Sequence, residues 1–137
     1  MTEQRPQFDA KFLVGIEQVD REHGRLFEIA GKVYDALGAG GAAAIGATRA
    51  AVAELIDYTA THFASEEALM AAASYPELEA HRQMHRHLLS QARDMAIRAE
   101  FGEQYATVEL SHFLYHWLID HIQANDKKFG AFITARR

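Results

Sequence analysis

The chain contains no cysteine and only two prolines among its 137 residues. The lack of cysteine excludes disulfides, cysteine-held zinc, thiol catalysis and iron–sulfur clusters bound by cysteine. The prolines, Pro6 and Pro76, leave almost the whole chain free to form helix. The formal net charge of −5 gives no electrostatic reason to expect nucleic acid or an anionic membrane as a partner.

Long hydrophobic runs are also absent from the sequence. The first ten residues, MTEQRPQFDA, contain no apolar core of a signal peptide. No stretch approaches the 18 or so apolar residues that span a bilayer, so we expect a cytoplasmic protein. The length suits one domain over residues 1–137, with no room for a fused signalling domain, and we expect a monomer.

Helix-forming residues dominate the middle of the chain, and β-branched runs are missing. Asp20 is expected to cap a first helix, Pro76 to begin a third, and Gly130 to stop a fourth. Short connections between such helices are typical of an all-α, antiparallel up-down-up-down four-helix bundle. The predicted elements are an N-terminal arm over about 1–19 and helices over about 20–37, 43–73, 76–100 and 103–129.

Histidine is what the chain has in excess, with eight residues. His62 and Glu66 are four residues apart, as are His81 and His85. Residues at positions i and i+4 project from the same face of a helix, so each pair can reach one point in the core. Apolar residues flank both pairs at helical spacing, which predicts that both face inward.

The fourth helix carries a less regular pair, His121 and Asp126, which are five residues apart. That spacing places them roughly 140° apart around an ideal helix. Both reach the core only if the aspartate leans back or the helix widens locally, as π-bulges do. On the first helix, His23 lies next to an apolar stripe that includes Leu26 and Phe27.

Five inward-facing imidazoles and two carboxylates are too many ligands for one ion, because six complete an octahedron. Two ions bridged by both carboxylates would use all of them, with three histidines on one ion and two on the other. Imidazole and carboxylate suit iron, and zinc and manganese remain open. Three further histidines and two further glutamates are expected to lie at the surface: His87, His112, His116, Glu67 and Glu109.

The order of these residues resembles the hemerythrin family, in particular its single-domain bacterial members. The resemblance covers about residues 8–130 and rests on His23, HFASE at 62–66, HRQMH at 81–85 and HIQAND at 121–126. The surrounding segments VGIEQVDREH, YPELEAHRQMH and WLIDHIQAND agree with it. Phe8 departs from the family, which often has tryptophan in the N-terminal arm.

The resemblance implies reversible dioxygen binding, for storage, delivery or sensing, at two iron ions joined by an oxo or hydroxo bridge. It implies that one iron is coordinatively full and held by His81, His85 and His121. The other is then held by His23 and His62, and Glu66 and Asp126 bridge the two. The implied dioxygen pocket consists of apolar residues: Leu26, Phe63, Leu88, Trp117, Leu118 and Ile122.

The same irons could instead serve an enzyme, such as a peroxidase, a ferroxidase or a nitric oxide reductase. The sequence shows no acid placed as a proton donor beside the open iron, which favours binding without catalysis. A sensor acting through a separate oxygen-accepting or signalling protein is a third reading. We therefore expect no catalytic residues.

Overall fold

The computed structural model describes residues 5–39, 41–100 and 106–136. Five α-helices lie in these ranges, and a five-residue π turn joins the last two without a break. Within the described ranges, no helix has both the length and the apolar character that crossing a bilayer requires. The elements are a short 3-10 turn (Ala10–Phe12), α1 (Glu17–Ala39), α2 (Gly41–Ala72), α3 (Leu78–Glu100), α4 (Ala106–His121), the π turn (Ile122–Asp126) and α5 (Lys127–Ala135).

Four helical rods form the predicted antiparallel bundle, and the fourth rod consists of α4, the π turn and α5. Each rod packs on the next along the chain, and α1 also packs on α4, which closes the bundle. The apolar stripes of the rods face a common core, as amphipathic helices require. Its most deeply buried side chains include Val19, Leu26, Ile29, Leu88, Ala92, Leu110 and Ile122.

The helix ends differ from the predicted ones by a few residues. α1 begins three residues before Asp20, whose carboxylate accepts hydrogen bonds from the backbone N–H of Val14 and Gly15 in the arm. Asp20 therefore ties down the arm instead of capping the helix. α3 begins two residues after Pro76. The predicted starting region of the fourth helix, from position 103, lies outside the described residues.

Gly130 does not stop the fourth helix, which continues to Ala135. A Cβ added at Gly130 would overlap the carbonyl oxygen of Val14. The glycine therefore allows close packing against the arm and does not mark a helix end, so the prediction of a stop here was wrong. Phe129, next to Gly130, packs against Tyr75 with the two ring centroids 5.0 Å apart. These side chains form a second small core.

Aromatic side chains hold the N-terminal arm against α1. The rings of Phe12 and Phe27 lie 4.9 Å apart, and Phe8 contacts both of them at 6.3 and 5.6 Å. Phe8 thus takes part in the packing of the arm, as expected for the position where the family often has tryptophan. Packing of this kind adds about 0.5–1.5 kcal/mol per pair beyond the area that is buried.

The second core makes a prediction about stability. We expect Phe129→Ala to lower the free energy of unfolding by about 3–5 kcal/mol, because Phe129 is fully buried and the change leaves a cavity. Urea unfolding of the metal-free protein measures the change. Ile97, which is 51% exposed, provides the control, and Ile97→Ala should stay within about 0.5 kcal/mol. Equal effects of the two substitutions would contradict the assignment of this core.

Candidate metal centre

The structure brings all seven predicted metal ligands together in the middle of the bundle. None is more than 4% exposed, although every one carries a titratable group. The two carboxylates lie at the centre, and the Nε2 atoms of the imidazoles surround them. The set comprises His23 on α1, His62 and Glu66 on α2, His81 and His85 on α3, His121 on α4 and Asp126 in the π turn.

Three imidazoles form one group of donors, which we call the three-histidine group: His81, His85 and His121. The Nε2 atom of His121 lies 3.0 Å from that of His81 and 3.1 Å from that of His85. The Oε1 atom of Glu66 is 3.0 Å from His81 and 3.4 Å from His85. The Oδ1 atom of Asp126 is 3.0 Å from His81 and 3.1 Å from His121. Five donor atoms therefore surround one point.

The other two imidazoles, His23 and His62, form the two-histidine group. The Oδ2 atom of Asp126 lies 3.0 Å from Nε2 of His23. The Oε2 atom of Glu66 lies 3.7 Å from Nε2 of His23 and 3.5 Å from Nε2 of His62. Each carboxylate thus places one oxygen in each group. Glu66 belongs to both sets of donor atoms. Asp126 lies in the set with His23 and His62 and also contacts His81 and His121 through Oδ1.

Several donor atoms in this centre are buried without a hydrogen-bond partner. They are both ring nitrogens of His23, both oxygens of Glu66 and Oδ2 of Asp126. Oδ2 of Asp126 lies close to Nε2 of His23, but the two groups are not aligned for a hydrogen bond. Both atoms therefore remain without a hydrogen-bond partner. An unsatisfied buried polar group costs about 1–3 kcal/mol. Bound cations would satisfy Nε2 and the carboxylate oxygens together, so the residues present fit a metal.

The π turn explains how His121 and Asp126 both face the core. The backbone from Ile122 to Asp126 is wound as a π-helix, in which hydrogen bonds run from i to i+5. A spacing of five residues then returns to the same face. Of the two alternatives that the sequence allowed, the structure has the local widening of the helix.

A known family of cation-binding domains matches this chain. The model of the hemerythrin HHE cation-binding domain matches residues 14–133. The chain belongs to the hemerythrin family. The match confirms the resemblance that the spacing of histidines and carboxylates indicates.

Individual members of the hemerythrin family support the assignment. The chain is 32% identical over 122 residues to the bacteriohemerythrin of Stenotrophomonas maltophilia (strain R551-3), covering 89% of this chain and 77% of the relative. It is 35% identical over 112 residues to that of Pseudomonas aeruginosa (strain LESB58), covering 82% and 71%. The crystal structure of wild-type hemerythrin matches with a TM-score of 0.76 at 27% identity, over 96% of this chain and 95% of that one.

Two further carboxylates hold histidines of the centre from outside. Glu22 Oε1 lies 2.7 Å from Nδ1 of His62, and Glu67 Oε2 lies 2.8 Å from Nδ1 of His85. Glu22 also accepts hydrogen bonds from Gln18 and Ser65. An acceptor at Nδ1 fixes the tautomer that leaves Nε2 free for a metal. One imidazole in each group is therefore oriented by a carboxylate.

The expectation that Glu67 is a solvated surface residue was wrong. Its side chain is only 23% exposed and reaches from α2 to His85 on α3. The direction of a side chain on its own helix does not reveal the neighbouring helix that it meets. Glu22 was not predicted to contact the centre. Its position directly before His23, like that of Glu67 directly after Glu66, is a feature of the sequence that points to such a contact.

Aromatic rings pack on the three-histidine group. The ring of Phe63 stacks on His85 with centroids 3.6 Å apart, and the indole of Trp117 stacks on His121 at 4.2 Å. Trp117 is partly buried, and the other predicted pocket residues, Leu26, Phe63, Leu88, Leu118 and Ile122, are buried in the same hydrophobic cluster. The residues predicted to line a dioxygen pocket thus share the core with the ligands.

The histidines that were not assigned as ligands lie at the surface. His87, His112 and His116 are all exposed. Glu109, which with His112 matches a motif of carboxylate di-iron proteins, is exposed as well. The division of the eight histidines into five inward-facing and three outward-facing residues follows the prediction.

Charge in the centre favours bound protons or metal cations. Burial opposes ionisation of Glu66, but the surrounding imidazoles hold its pKa well below its usual value. Burial likewise opposes protonation of His62 and His81, yet their contacts with carboxylates raise both pKa values to about 9. Burial lowers the pKa of His121. At neutral pH the metal-free centre therefore holds protonated imidazoles beside its buried carboxylates.

These pKa values predict how the metal-free protein depends on pH. The pKa of His62 and of His81 rises from 6.5 to about 9 on folding, so the folded state binds more protons. The resulting stabilisation is complete below about pH 6.5 and is lost as pH rises through about 9. The melting temperature of chelator-treated protein should fall over this window, as measured by circular dichroism. A melting temperature that rises from pH 7 to pH 9 would contradict it.

The outer carboxylates make a second prediction. We expect Glu22→Gln and Glu67→Gln each to weaken metal binding by about 10–100-fold, because they remove the charge that supports a ligating imidazole. Competition with a chelator at fixed pH measures the affinity. Glu17→Gln is the matched control, because Glu17 lies on α1 like Glu22 but is exposed. Unchanged affinity in both variants would show that these carboxylates do not support the ligands.

Proposed function

We propose that this protein binds dioxygen reversibly at a pair of iron ions in the bundle core, for oxygen storage, delivery or sensing. The observation that carries the proposal is the position of Glu66 and Asp126, each with one oxygen in the three-histidine group and one in the two-histidine group. Two shared carboxylates between two sets of imidazoles suit two neighbouring ions. The names of the bacteriohemerythrin relatives agree with this reading.

The number of ligands differs between the two groups. An ion held by the three-histidine group, both carboxylates and one oxygen from solvent would have six ligands, whereas an ion held by the two-histidine group in the same way would have five. We propose that the free position on the side of His23 and His62 accepts dioxygen. When bound, the iron pair supplies the two electrons that reversible dioxygen binding needs.

The donor set favours iron over a structural zinc ion. Three imidazoles and two carboxylates lie close together around the three-histidine group. Zinc in structural sites is almost always bound by four ligands in a tetrahedron, whereas six-coordinate sites of imidazole and carboxylate suit iron.

The apolar side chains around the centre have a role other than metal binding in this proposal. Leu26, Leu118 and Ile122 are buried and offer no hydrogen bond to a ligand, and Trp117 and Phe63 cover the imidazoles on which they stack. Together they exclude water and protons from the centre. Such a wall favours release of dioxygen unchanged over its reduction, which needs protons.

The central test is anaerobic reduction of the iron-loaded protein, followed by titration with oxygen under optical monitoring. We expect a visible absorption change that saturates with oxygen and reverses when oxygen is removed. Irreversible oxidation on first contact with oxygen would contradict the proposal. Steady turnover of peroxide, ferrous iron or nitric oxide would favour the enzyme alternative instead.

The apolar wall makes a prediction of its own. We expect Leu118→Ala and Trp117→Ala to speed autoxidation of the oxygenated protein several-fold, because each change opens the core to water. The decay of the absorption of the oxygenated form measures the rate. Leu13→Ala, at an exposed position in the arm, is the control and should leave the rate unchanged. If the two core variants decay at the native rate, these residues do not shield the centre.

The cytoplasmic location, the monomeric state and the extent of the domain over residues 1–137 stay predictions.

A further inference from the structure

A glycine on α5 touches the backbone of the N-terminal arm. A Cβ atom added at Gly130 would overlap the carbonyl oxygen of Val14 and come 2.9 Å from its carbonyl carbon. Real Cβ atoms essentially never approach other atoms so closely. Because the neighbouring atoms belong to the backbone of the arm, any side chain at position 130 would force α5 or the arm to shift.

The arm side of this contact is fixed to α1. The carboxylate of Asp20 accepts hydrogen bonds from the backbone N–H of Val14 at 2.7 Å and of Gly15 at 3.2 Å. Gly15 has a φ of +90°, a conformation that glycine adopts at little cost and that lets both N–H groups reach one carboxylate. Asp20 lies on α1 three residues before His23. The carbonyl of Val14 is thus held in a set position relative to His23.

The helix side of the contact is fixed to Asp126. Gly130 follows Asp126 by four residues, so the two lie one turn apart at the start of α5. Phe129, next to Gly130, is buried against Tyr75 and prevents α5 from rolling away. A shift of Gly130 would therefore carry Asp126 with it.

The two residues to which this contact is tied, His23 and Asp126, also lie close together in the metal centre. Oδ2 of Asp126 lies 3.0 Å from Nε2 of His23, although the two residues belong to opposite ends of the chain. We propose that Gly130 is a positioning residue: its contact with the Val14 carbonyl is the spacer that sets the separation of Asp126 and His23. The proposal rests on the proposed function, because it concerns the retention of the metal ion in the two-histidine group.

A change at the spacer should affect the two metal ions unequally. Ligands of a metal site have to stay within about 0.5 Å of their positions, so even a small shift of Asp126 weakens a site that depends on it. The three-histidine group keeps three imidazoles and Glu66 even when Asp126 moves. The two-histidine group keeps only His23, His62 and Glu66, and it loses the Oδ2 atom of Asp126 that lies 3.0 Å from Nε2 of His23.

The test compares iron release from the native chain and from Gly130→Ala, both loaded anaerobically with ferrous iron. A strong chelator is added, and the absorption of its iron complex is followed over time. We expect one of the two ions to leave the variant about tenfold faster or more, and the other to leave within about twofold of the native rate. The melting temperature of each metal-free protein is measured in parallel, since a merely structural effect would lower it and release both ions alike.

Gly38→Ala is the matched control, because Gly38 lies on α1 with nothing within 4 Å of an added Cβ. It should release both ions at the native rates. Asp20→Asn tests the same spacer from the arm side, since the two backbone N–H groups bond to different carboxylate oxygens and the NH2 group that replaces one of them cannot accept a hydrogen bond. It should speed release of the same ion, and it decides the matter if Gly130→Ala does not fold.

The outcomes separate this inference from the proposed function. Native chain that takes up fewer than two iron ions contradicts the proposed function, and the inference falls with it before any variant is compared. Native chain with two ions, and folded variants that release both at native rates, overturns the spacer alone. Equal acceleration of both ions in Gly130→Ala and Asp20→Asn also overturns it, because the contact would then support the bundle as a whole.

Discussion

Two carboxylates buried side by side are the constraint on which the rest of this structure depends. Glu66 and Asp126 are almost completely inaccessible, and two negative charges in an apolar core are unfavourable unless cations compensate them. The five imidazoles that surround them supply this compensation, either by binding protons or by holding metal cations. Because these imidazoles come from all four rods of the bundle, every pairwise packing of helices bears on the position of at least one ligand. The same helix positions therefore determine both the geometry of the centre and the packing of the bundle.

The irregular parts of the chain lie around Asp126. A π turn brings Asp126 to the face that His121 already occupies, and it is the one interruption that the fourth rod shows within residues 106–135. π-helical turns are rare, and those inside α-helices lie frequently at functional sites. The segment after the turn is held by the second core around Phe129 and by the contact of Gly130 with the arm. The N-terminal arm, the end of α5 and the start of α1 thus support the ligand that a regular helix could not present.

Much of this could be predicted from the sequence, since it depends on local spacing. Residues four apart share a helix face, which together with their apolar neighbours is enough to predict that His62, Glu66, His81 and His85 face inward. The all-α bundle follows from the helix-forming composition and the short connections. The choice between a leaning Asp126 and a wider helix could not be made, because the two have the same sequence pattern. The contact of Glu67 with His85 was missed because it depends on the rotation of α2 relative to α3. The same holds for Gly130, which reads as a helix stop until its packing partner in the arm is known.

The account rests on two ions that share Glu66 and Asp126, one in each group of histidines. Anomalous scattering at the iron edge from crystals of the iron-loaded protein tests this most directly. We expect two peaks of similar height, one among His81, His85 and His121 and the other between His23 and His62. A single peak, or two peaks that do not both contact the two carboxylates, would contradict it.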